Sequence, residues 1–283
     1  SAVGFTGFHV YHYIDALSNE ARLMSRNFYG TLRVKDSGPE TSETAMRRLM
    51  HGVIMHGEQY LHPKKSHRIT TYYTESSGVG LAVKYFQEMG STRVGVVGLG
   101  TGTMAGYGRK GDVTRFYEIN PQVIEIARRD FTYISNNKGQ VDTVLGDARL
   151  TMEREAPQQY DVLAIDAFSS DAIPVHLITR EAMAIYLKHI KPDTGVVAFH
   201  VTNRFLKLAP VVEQIAKTYD LQVALVSDDD TGGDASRTDW VLVTRNKKLL
   251  DDKKVKENSS EISPIPGLRL WTDDFNNLVQ ILK

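Results

Sequence analysis

A glycine-rich turn is the first feature of this sequence with the means to bind a ligand. Gly98, Gly100 and Gly102 form a G-x-G-x-G pattern that follows a predicted strand and precedes a helical segment. Glycines at such a turn let a ligand approach backbone N–H groups near a helix N-terminus. Dinucleotide sites, methyltransferases and plain tight turns all use this pattern, so the glycines alone do not identify the ligand.

Three acidic residues end the next three predicted strands and sharpen that prediction. Glu118 can accept both hydroxyls of a ribose, Asp147 can accept from an adenine amine, and Asp166 ends the fourth strand. The carboxyl ends of parallel strands share one edge, where open α/β sheets bind ligands. We therefore predict a nucleoside site at these acids, with Ile119 and Ala148 beside them.

The elements that must position these residues alternate between apolar runs and helical stretches. Helical periodicity is present over 122–131, 177–190 and 209–219. Seven short strands are predicted at Val94–Gly98, Val113–Ile119, Val141–Leu145, Val162–Ile165, Val196–Phe199, Val223–Val226 and Val241–Val243. Such strands between helices predict an α/β fold, a methyltransferase-like (Rossmann-type), seven-stranded, doubly wound parallel sheet. This plan, with an acid on the third strand, favours S-adenosylmethionine or a relative over NAD.

The first part of the chain has a different pattern. Arg26–Lys35 and Leu49–Tyr60 are typical of hairpins, with Gly52 and Gly57 as turn points. Ser76–Met89 has helical spacing and begins with a capping serine. We predict a β-hairpin domain over residues 1–75 and a catalytic domain over residues 76–283.

Two polar segments and the C-terminal tail complete the organisation. Asp228–Asp239 is acidic and contains glycine, which is typical of a solvated hairpin tip or of a mobile gate beside a site. Lys247–Ser263 is predicted to be a surface linker. After it, Trp271 and nearby apolar residues favour docking of the tail on the catalytic domain.

Composition excludes several classes of protein. The chain has 283 residues, of which 41% are hydrophobic and 24% charged, as in soluble globular proteins. Its 34 basic residues balance 34 acidic ones, so no general nucleic-acid footprint is present. It has no cysteine, and therefore no disulfide, thiolate nucleophile or thiolate metal site. Four histidines between His51 and His67 lack the fixed spacing of metal ligands, and we expect no metal.

Many short motifs, in order along most of the chain, resemble one enzyme family. They are RNFYGTLRV (26–34), HG-x-x-x-HG-x-Q (51–59), TTYYTESSGVG (70–80), GLGTGTMA (98–105), FYEINP (116–121), GDAR (146–149), DAFSSDAIPVHLITREAM (166–183), HVTNR (200–204) and WTDDFNNL (271–278). They match the spermidine synthase (polyamine aminopropyltransferase) family, and most closely its domains fused to membrane-embedded segments.

The resemblance implies a reaction and roles for particular residues. The family binds decarboxylated S-adenosylmethionine, transfers its aminopropyl group to putrescine or a similar amine, and releases methylthioadenosine. By resemblance, Glu118 binds ribose and Asp147 binds adenine. Asp166 and Asp171 form the acidic pair at the reacting centre, where a carboxylate can hold the amine and accept its proton.

Further residues enter the predicted site through the same resemblance. His56 and Gln59 would border the cofactor. Tyr72 and Tyr73 would be pocket walls, with core or hairpin positions as the alternative. Asn203, after the fifth strand of the sheet, would face the site or cap the strand end.

The sequence departs from the family at three points. The glycine loop has Thr101 where the family has an acid that pairs with the cofactor's ammonium. A hydroxyl does not repel a carboxylate, so intact S-adenosylmethionine is also a candidate. The family's amine-binding YHE segment is not evident at Tyr72–Glu75, and D-A-F-S-S-D is two residues longer than the family's D-S-S-D, which moves Asp171.

These departures leave further functions open. One is an S-adenosylmethionine lyase or cyclase, in which the substrate's own amine or carboxylate displaces the sulfonium without an amine acceptor. Others are a non-catalytic S-adenosylmethionine sensor and a methyltransferase. We expect a small-molecule amine or no second substrate, no nucleic acid partner, and a homo-oligomer. The chain as given is expected to be soluble, and the resemblance leaves open a linked membrane domain with this chain on its cytoplasmic side.

Overall fold

An antiparallel sheet forms the N-terminal part of the computed structural model, which describes residues 21–39, 41–167, 173–229 and 237–283. Its strands are β1 (Ala21–Asn27), β2 (Gly30–Ser37), β3 (Met46–His51) and β4 (Ile54–Tyr60), paired in chain order. The two predicted hairpins are therefore present, with Gly52 in the turn between β3 and β4. Gly57 was predicted as a turn point, but it lies inside β4 opposite Leu49, beside a register shift in β3.

A larger sheet follows, and it contains all seven predicted strands. They are β5 (Arg93–Val97), β6 (Val113–Glu118), β7 (Gln140–Leu145), β8 (Val162–Ile165), β9 (Val196–His200), β10 (Gln222–Asp228) and β11 (Thr238–Thr244), with a two-residue strand β12 (Ser259–Ser260) at one edge. The order is β12-β10-β11-β9-β8-β5-β6-β7. Strands β7, β6, β5, β8 and β9 are parallel, whereas β10 and β11 form an antiparallel pair. This arrangement confirms the predicted fold class.

Helices connect the strands and cover the sheet. They are α1 (Gly78–Met89), α2 (Pro121–Asp130), α3 (Ala148–Arg154), α4 (Arg180–His189), α5 (Ala209–Lys217), α6 (Lys247–Leu250) and α7 (Lys253–Glu257). Short 3-10 turns are present at Thr71–Tyr73, Thr103–Tyr107, Val175–Leu177 and Leu278–Ile281. Ser77 caps α1 as predicted, because its side chain accepts a hydrogen bond from the Gly80 amide.

Two apolar clusters lie on opposite faces of the large sheet. Successive strand residues alternate between them, as with Val96 in one cluster and Val97 in the other. The first cluster contains side chains of α1 and α2 together with Leu32 and Leu49 of the N-terminal sheet. The second contains side chains of α3, α4 and α5. The sheet is thereby covered on both faces, and the N-terminal sheet packs into the same core.

The C-terminal part is more structured than predicted. The segment 247–263, predicted to be a surface linker, contains α6, α7 and β12, because Leu249 and Val255 are buried in the core. The side chain of Trp271 is fully buried, and its carbonyl accepts from the Arg180 amide, so the tail docks on α4. Within the described ranges, no helix is long and apolar enough to cross a bilayer.

Candidate active site

A cavity of about 370 Å³ lies at the carboxyl ends of the strands β5, β6, β7 and β8, and residues of the N-terminal sheet also line it. The predicted site residues that line it are Gly98, Gly100, Glu118, Ile119, Asp147, Ala148, Asp166, His56 and Tyr72. The structure therefore brings these predicted residues together at the carboxyl edge of the sheet. Asp171 and the gate or tip residues 230–236 lie outside the described residues.

At two positions of the turn after β5 only glycine fits, because the backbone there lies very close to a carbonyl oxygen of another segment. Gly98 has a φ of +95°, and a Cβ there would lie 2.4 Å from the carbonyl oxygen of Asp166. Gly100 has a φ of +54°, and a Cβ there would lie 2.4 Å from the carbonyl oxygen of His56 in β4. Both positions combine a left-handed backbone with a contact that any side chain would break. The glycine turn is thereby held between Asp166 and the N-terminal sheet.

Glu118 marks one end of the cavity and is held by backbone amides. Its Oε2 accepts from the Leu99 amide at 3.0 Å, and its Oε1 accepts from the Asn120 amide at 2.9 Å. Burial raises the pKa of the Glu118 carboxyl, and these amide hydrogen bonds counteract that rise in part. The bond to Leu99 ties the carboxylate to the glycine turn.

Asp147 directly precedes α3, and one of its carboxylate oxygens lies close to a histidine. Its Oδ1 accepts from the Leu150 amide at 2.9 Å, so it is the N-cap of the helix. Its Oδ2 lies 2.7 Å from Nε2 of His176, whose side chain is half exposed. His176 also lines the cavity and was not singled out from the sequence.

Asp166 lies at the other end and is held by side chains. The Tyr73 hydroxyl donates to Oδ2, and Nδ1 of His200 lies 2.8 Å from Oδ1. Burial would raise the pKa of Asp166, but the charge and hydrogen bond of His200, together with the Tyr73 hydroxyl, lower it below the usual range. Tyr73 is itself buried, and the Tyr107 hydroxyl donates to its carbonyl.

His200 is a second residue of this site that the sequence reasoning missed. It is the last residue of β9, so it ends a parallel strand like the three predicted acids. A signal was available: the apolar run Val196–Phe199 is followed directly by a polar residue. Its ring stacks on Tyr72, with centroids 4.2 Å apart, and on Trp240, with centroids 4.9 Å apart.

The N-terminal sheet contributes two histidines to the opposite wall. His51 and His56 line the cavity with ring centroids 5.5 Å apart. Burial lowers the pKa of His56, while the charge of Asp166 opposes that change. No Lys or Arg stands among the described lining residues, so these imidazoles and His176 are its basic groups.

Five predicted residues are not among those lining the cavity, and one of them is Tyr73, whose hydroxyl donates to Asp166. Thr101 is buried beside Gly57, and its hydroxyl shares a hydrogen bond with Thr103. Gln59 is held by hydrogen bonds to Thr132. Gly102 begins the 3-10 turn 103–107. Asn203 accepts from two amides of the following turn, as a strand-end cap does.

The cavity therefore combines three carboxylates with aromatic and apolar walls. Such a site can bind a nucleoside through Glu118 and Asp147 and can stabilise a positive charge near Asp166. In the described ranges, no group of three or more potential ligands is arranged to hold a metal ion.

The chain is similar in sequence to a known protein over part of its length. A polyamine aminopropyltransferase of Vibrio vulnificus is 38% identical over 90 residues, which are 31% of this chain and 28% of that protein. The match thus spans less than a third of the relative's length. No family model matches the chain.

Solved structures extend the likeness over most of the chain. A spermidine synthase in complex with the transition-state analogue AdoDATO has a TM-score of 0.60 at 14% identity, over 87% of this chain and 82% of that one. A probable spermidine synthase from Corynebacterium glutamicum has a TM-score of 0.61 at 13% identity, over 88% and 98%. The fold is shared with these proteins, and the resemblance predicted from the motifs is confirmed.

Proposed function

We propose that this chain is a spermidine-synthase-like enzyme that binds S-adenosylmethionine or its decarboxylated form and releases methylthioadenosine. It would cleave the bond between sulfur and the propyl carbon, by aminopropyl-type transfer to a small amine. The observation that carries the proposal is the joint presence of Glu118, Asp147 and Asp166 around one cavity. Similarity to a polyamine aminopropyltransferase gives it further support.

Each of the three carboxylates in the cavity suits a different part of such a ligand. Glu118 presents an acceptor to ribose hydroxyls, and its tie to Leu99 fixes its direction. Asp147 faces the adenine amine when its second oxygen is released from His176. The sulfonium and its propyl carbon then lie toward Asp166, whose negative charge stabilises the positive charge of the ligand.

The reaction balances without a cofactor beyond the sulfonium substrate. The lone pair of a neutral amine attacks the propyl carbon, and the carbon–sulfur bond breaks with its electron pair going to sulfur. Sulfur becomes the neutral thioether of methylthioadenosine, and the new ammonium loses a proton. Enclosure of both reactants in one cavity supplies the required alignment.

A second candidate uses intact S-adenosylmethionine with no amine acceptor. It is favoured by the glycine turn, where Thr101 replaces an acid and points away from the cavity. No carboxylate of that turn opposes the α-carboxylate of the intact substrate, and His51 and His56 stand on the facing wall. Its own amine or carboxylate would then displace the sulfur in a lyase or cyclase reaction.

One product analysis tests both candidates. The purified protein is incubated with each sulfonium, with and without putrescine, and the products are identified by mass. Methylthioadenosine that requires decarboxylated substrate and amine supports the transferase, and methylthioadenosine from intact substrate alone supports the lyase or cyclase. No methylthioadenosine under any condition contradicts both; demethylated nucleoside would then indicate a methyltransferase, and binding alone a sensor.

A further inference from the structure

We infer that His200 is a positioning residue that donates its Nδ1–H to Asp166, so that Asp166 acts on the sulfonium as a fixed negative charge and is not the proton acceptor. The inference rests on the proposed function for its chemical meaning.

Both oxygens of Asp166 are already occupied by protein donors. The Tyr73 hydroxyl donates to Oδ2, and His200 Nδ1 lies 2.8 Å from Oδ1. Burial raises the pKa of Tyr73 well above its usual value, so this phenol keeps its hydrogen and remains a donor. A carboxylate that accepts two such bonds is a weakened base.

The unpartnered nitrogen of His200 decides which atom carries the hydrogen. Nε2 is buried and finds no hydrogen-bond partner in the described part of the chain. A protonated Asp166 facing an Nε2–H imidazole would leave that N–H buried without an acceptor, which costs about 1–3 kcal/mol. With the hydrogen on Nδ1 and Asp166 ionised, no N–H is buried without an acceptor, and Oδ1 of Asp166 receives a charge-assisted hydrogen bond from the Nδ1 that lies 2.8 Å away, which is the stronger kind. It is therefore the form that the structure favours.

The surroundings of the pair keep it in place. The His200 side chain is 2% exposed and lies between the rings of Tyr72 and Trp240. The Trp240 indole donates to the Tyr72 carbonyl at 2.9 Å, which fixes one ring of the stack against the other. The titratable groups that act on Asp166 from the packed elements are His56, Tyr72, Tyr73, Glu118 and His200.

In this arrangement the proton that the amine loses does not go to Asp166. The amine's lone pair forms the carbon–nitrogen bond, the sulfur keeps the electrons of the broken bond, and the surplus proton leaves to water. Asp166 remains ionised before and after the step and stabilises the positive charge as it moves from sulfur to nitrogen. Turnover is then insensitive to the ionisation of Asp166 across neutral pH.

Two substitutions separate the hydrogen bond from the ring stack. His200→Phe keeps a stacked ring but removes the donor. His200→Asn removes the ring but keeps an N–H, because Asn Nδ2 and His Nδ1 are each two bonds from Cβ. The pH profile of methylthioadenosine release is measured for both, with methylthioadenosine binding and the melting temperature as checks on folding.

We expect His200→Phe to gain an acid limb, since loss of a donor to a carboxylate raises its pKa. Below the raised pKa of Asp166, turnover should fall about tenfold for each further pH unit and should recover as the pH rises. His200→Asn should show no such limb. A folded His200→Phe protein with the wild-type profile would overturn the inference, as would an equal limb in both variants.

A second measurement needs no activity, so it distinguishes failure of this inference from failure of the proposed function. ¹⁵N NMR of the wild-type protein at pH 7 reports which ring nitrogen of His200 carries hydrogen. We expect hydrogen on Nδ1. Hydrogen on Nε2 alone would overturn the inference, even if the enzyme releases methylthioadenosine as proposed.

Discussion

Glu118 and Asp166 are two buried carboxylates at the ends of parallel strands, yet their pKa values shift in opposite directions. Glu118 accepts from backbone amides, and burial dominates, so its pKa rises. Asp166 accepts from His200 and Tyr73, and these partners outweigh burial, so its pKa falls. The hydrogen-bond donors, and not burial alone, set the direction in which the pKa of each carboxyl shifts.

The difference has a functional meaning. Backbone amides make the position of Glu118 depend on the glycine turn, which any nucleoside-binding relative of this fold could share. Asp166 depends instead on side chains from two other segments, His200 of β9 and Tyr73 of the turn before α1. Under the proposed function, Glu118 would serve binding of the nucleoside, whereas Asp166 would keep a negative charge near the sulfonium.

Removing the charge at the Asp166 end should have the largest effect. Asp166→Asn is expected to lower turnover by about 100-fold or more, the usual loss when one preorganised charge-stabilising group is removed. Binding of methylthioadenosine, which lacks the propyl group and the positive charge, should change little. Initial rates of methylthioadenosine release and calorimetric binding measure the two quantities.

The matched control for that variant is Asp161→Asn. Asp161 is also a buried aspartate, at the opposite end of β8, where it pairs with Lys191 and accepts from the Arg93 amide. Its replacement should affect the melting temperature and leave turnover near the wild-type rate. An Asp166→Asn protein as active as this control would remove the assigned role.

Replacing the acid at the nucleoside end should affect binding more than chemistry. Glu118→Gln is expected to weaken methylthioadenosine binding about tenfold to a hundredfold, since hydrogen bonds to charged groups contribute about 1.5–3 kcal/mol. Turnover at saturating substrate should be largely kept. Glu155→Gln, at a half-buried acid outside the cavity that pairs with Arg115, is the control.

The same carboxylate predicts a pH dependence of binding. A raised pKa means that Glu118 takes up a proton at a higher pH than an exposed glutamate, so binding should weaken as the pH falls through that raised value. Glu118→Gln should bind methylthioadenosine with no such dependence. If wild type and variant weakened in parallel, Glu118 would not be the ribose ligand.

The smallest effect is expected from the exposed pair of His176 and Asp147, beside the proposed adenine site. His176→Ala releases Oδ2 of Asp147, and exposed ion pairs contribute about 0–1 kcal/mol. Methylthioadenosine binding should therefore change by less than about fivefold in either direction. A larger loss of methylthioadenosine binding would mean that His176 contacts the nucleoside directly. His176 would then have to be counted among the residues that bind it.

The fold and one edge of the site could be predicted because they follow from periodic patterns. Seven apolar runs became seven strands, and three strand-end acids met at one edge because parallel strands end together. The antiparallel pairing of β10 with β11 was not evident, since an apolar run has no direction. The turn expected at Gly57 failed because a register shift in β3 lets a glycine continue the strand.

The direction of single side chains could not be predicted. Thr101 and Gln59 occupy motif positions but form buried hydrogen bonds elsewhere. His200 was part of a quoted motif, yet its role depends on the registry of β9 with β8 and on rings from two distant segments. Such contacts belong to tertiary packing, which no local pattern encodes.

The contrast between the two carboxylates is measured most directly by a ¹³C NMR titration of both side chains in the unliganded protein. Glu118 should titrate at a higher pH than an exposed glutamate, and Asp166 at a lower pH than an exposed aspartate. In His200→Phe the pKa of Asp166 should rise towards or above that of Glu118, whereas in His200→Asn it should stay below it. Asp166 titrating in the wild-type protein above the range of an exposed aspartate would contradict the account.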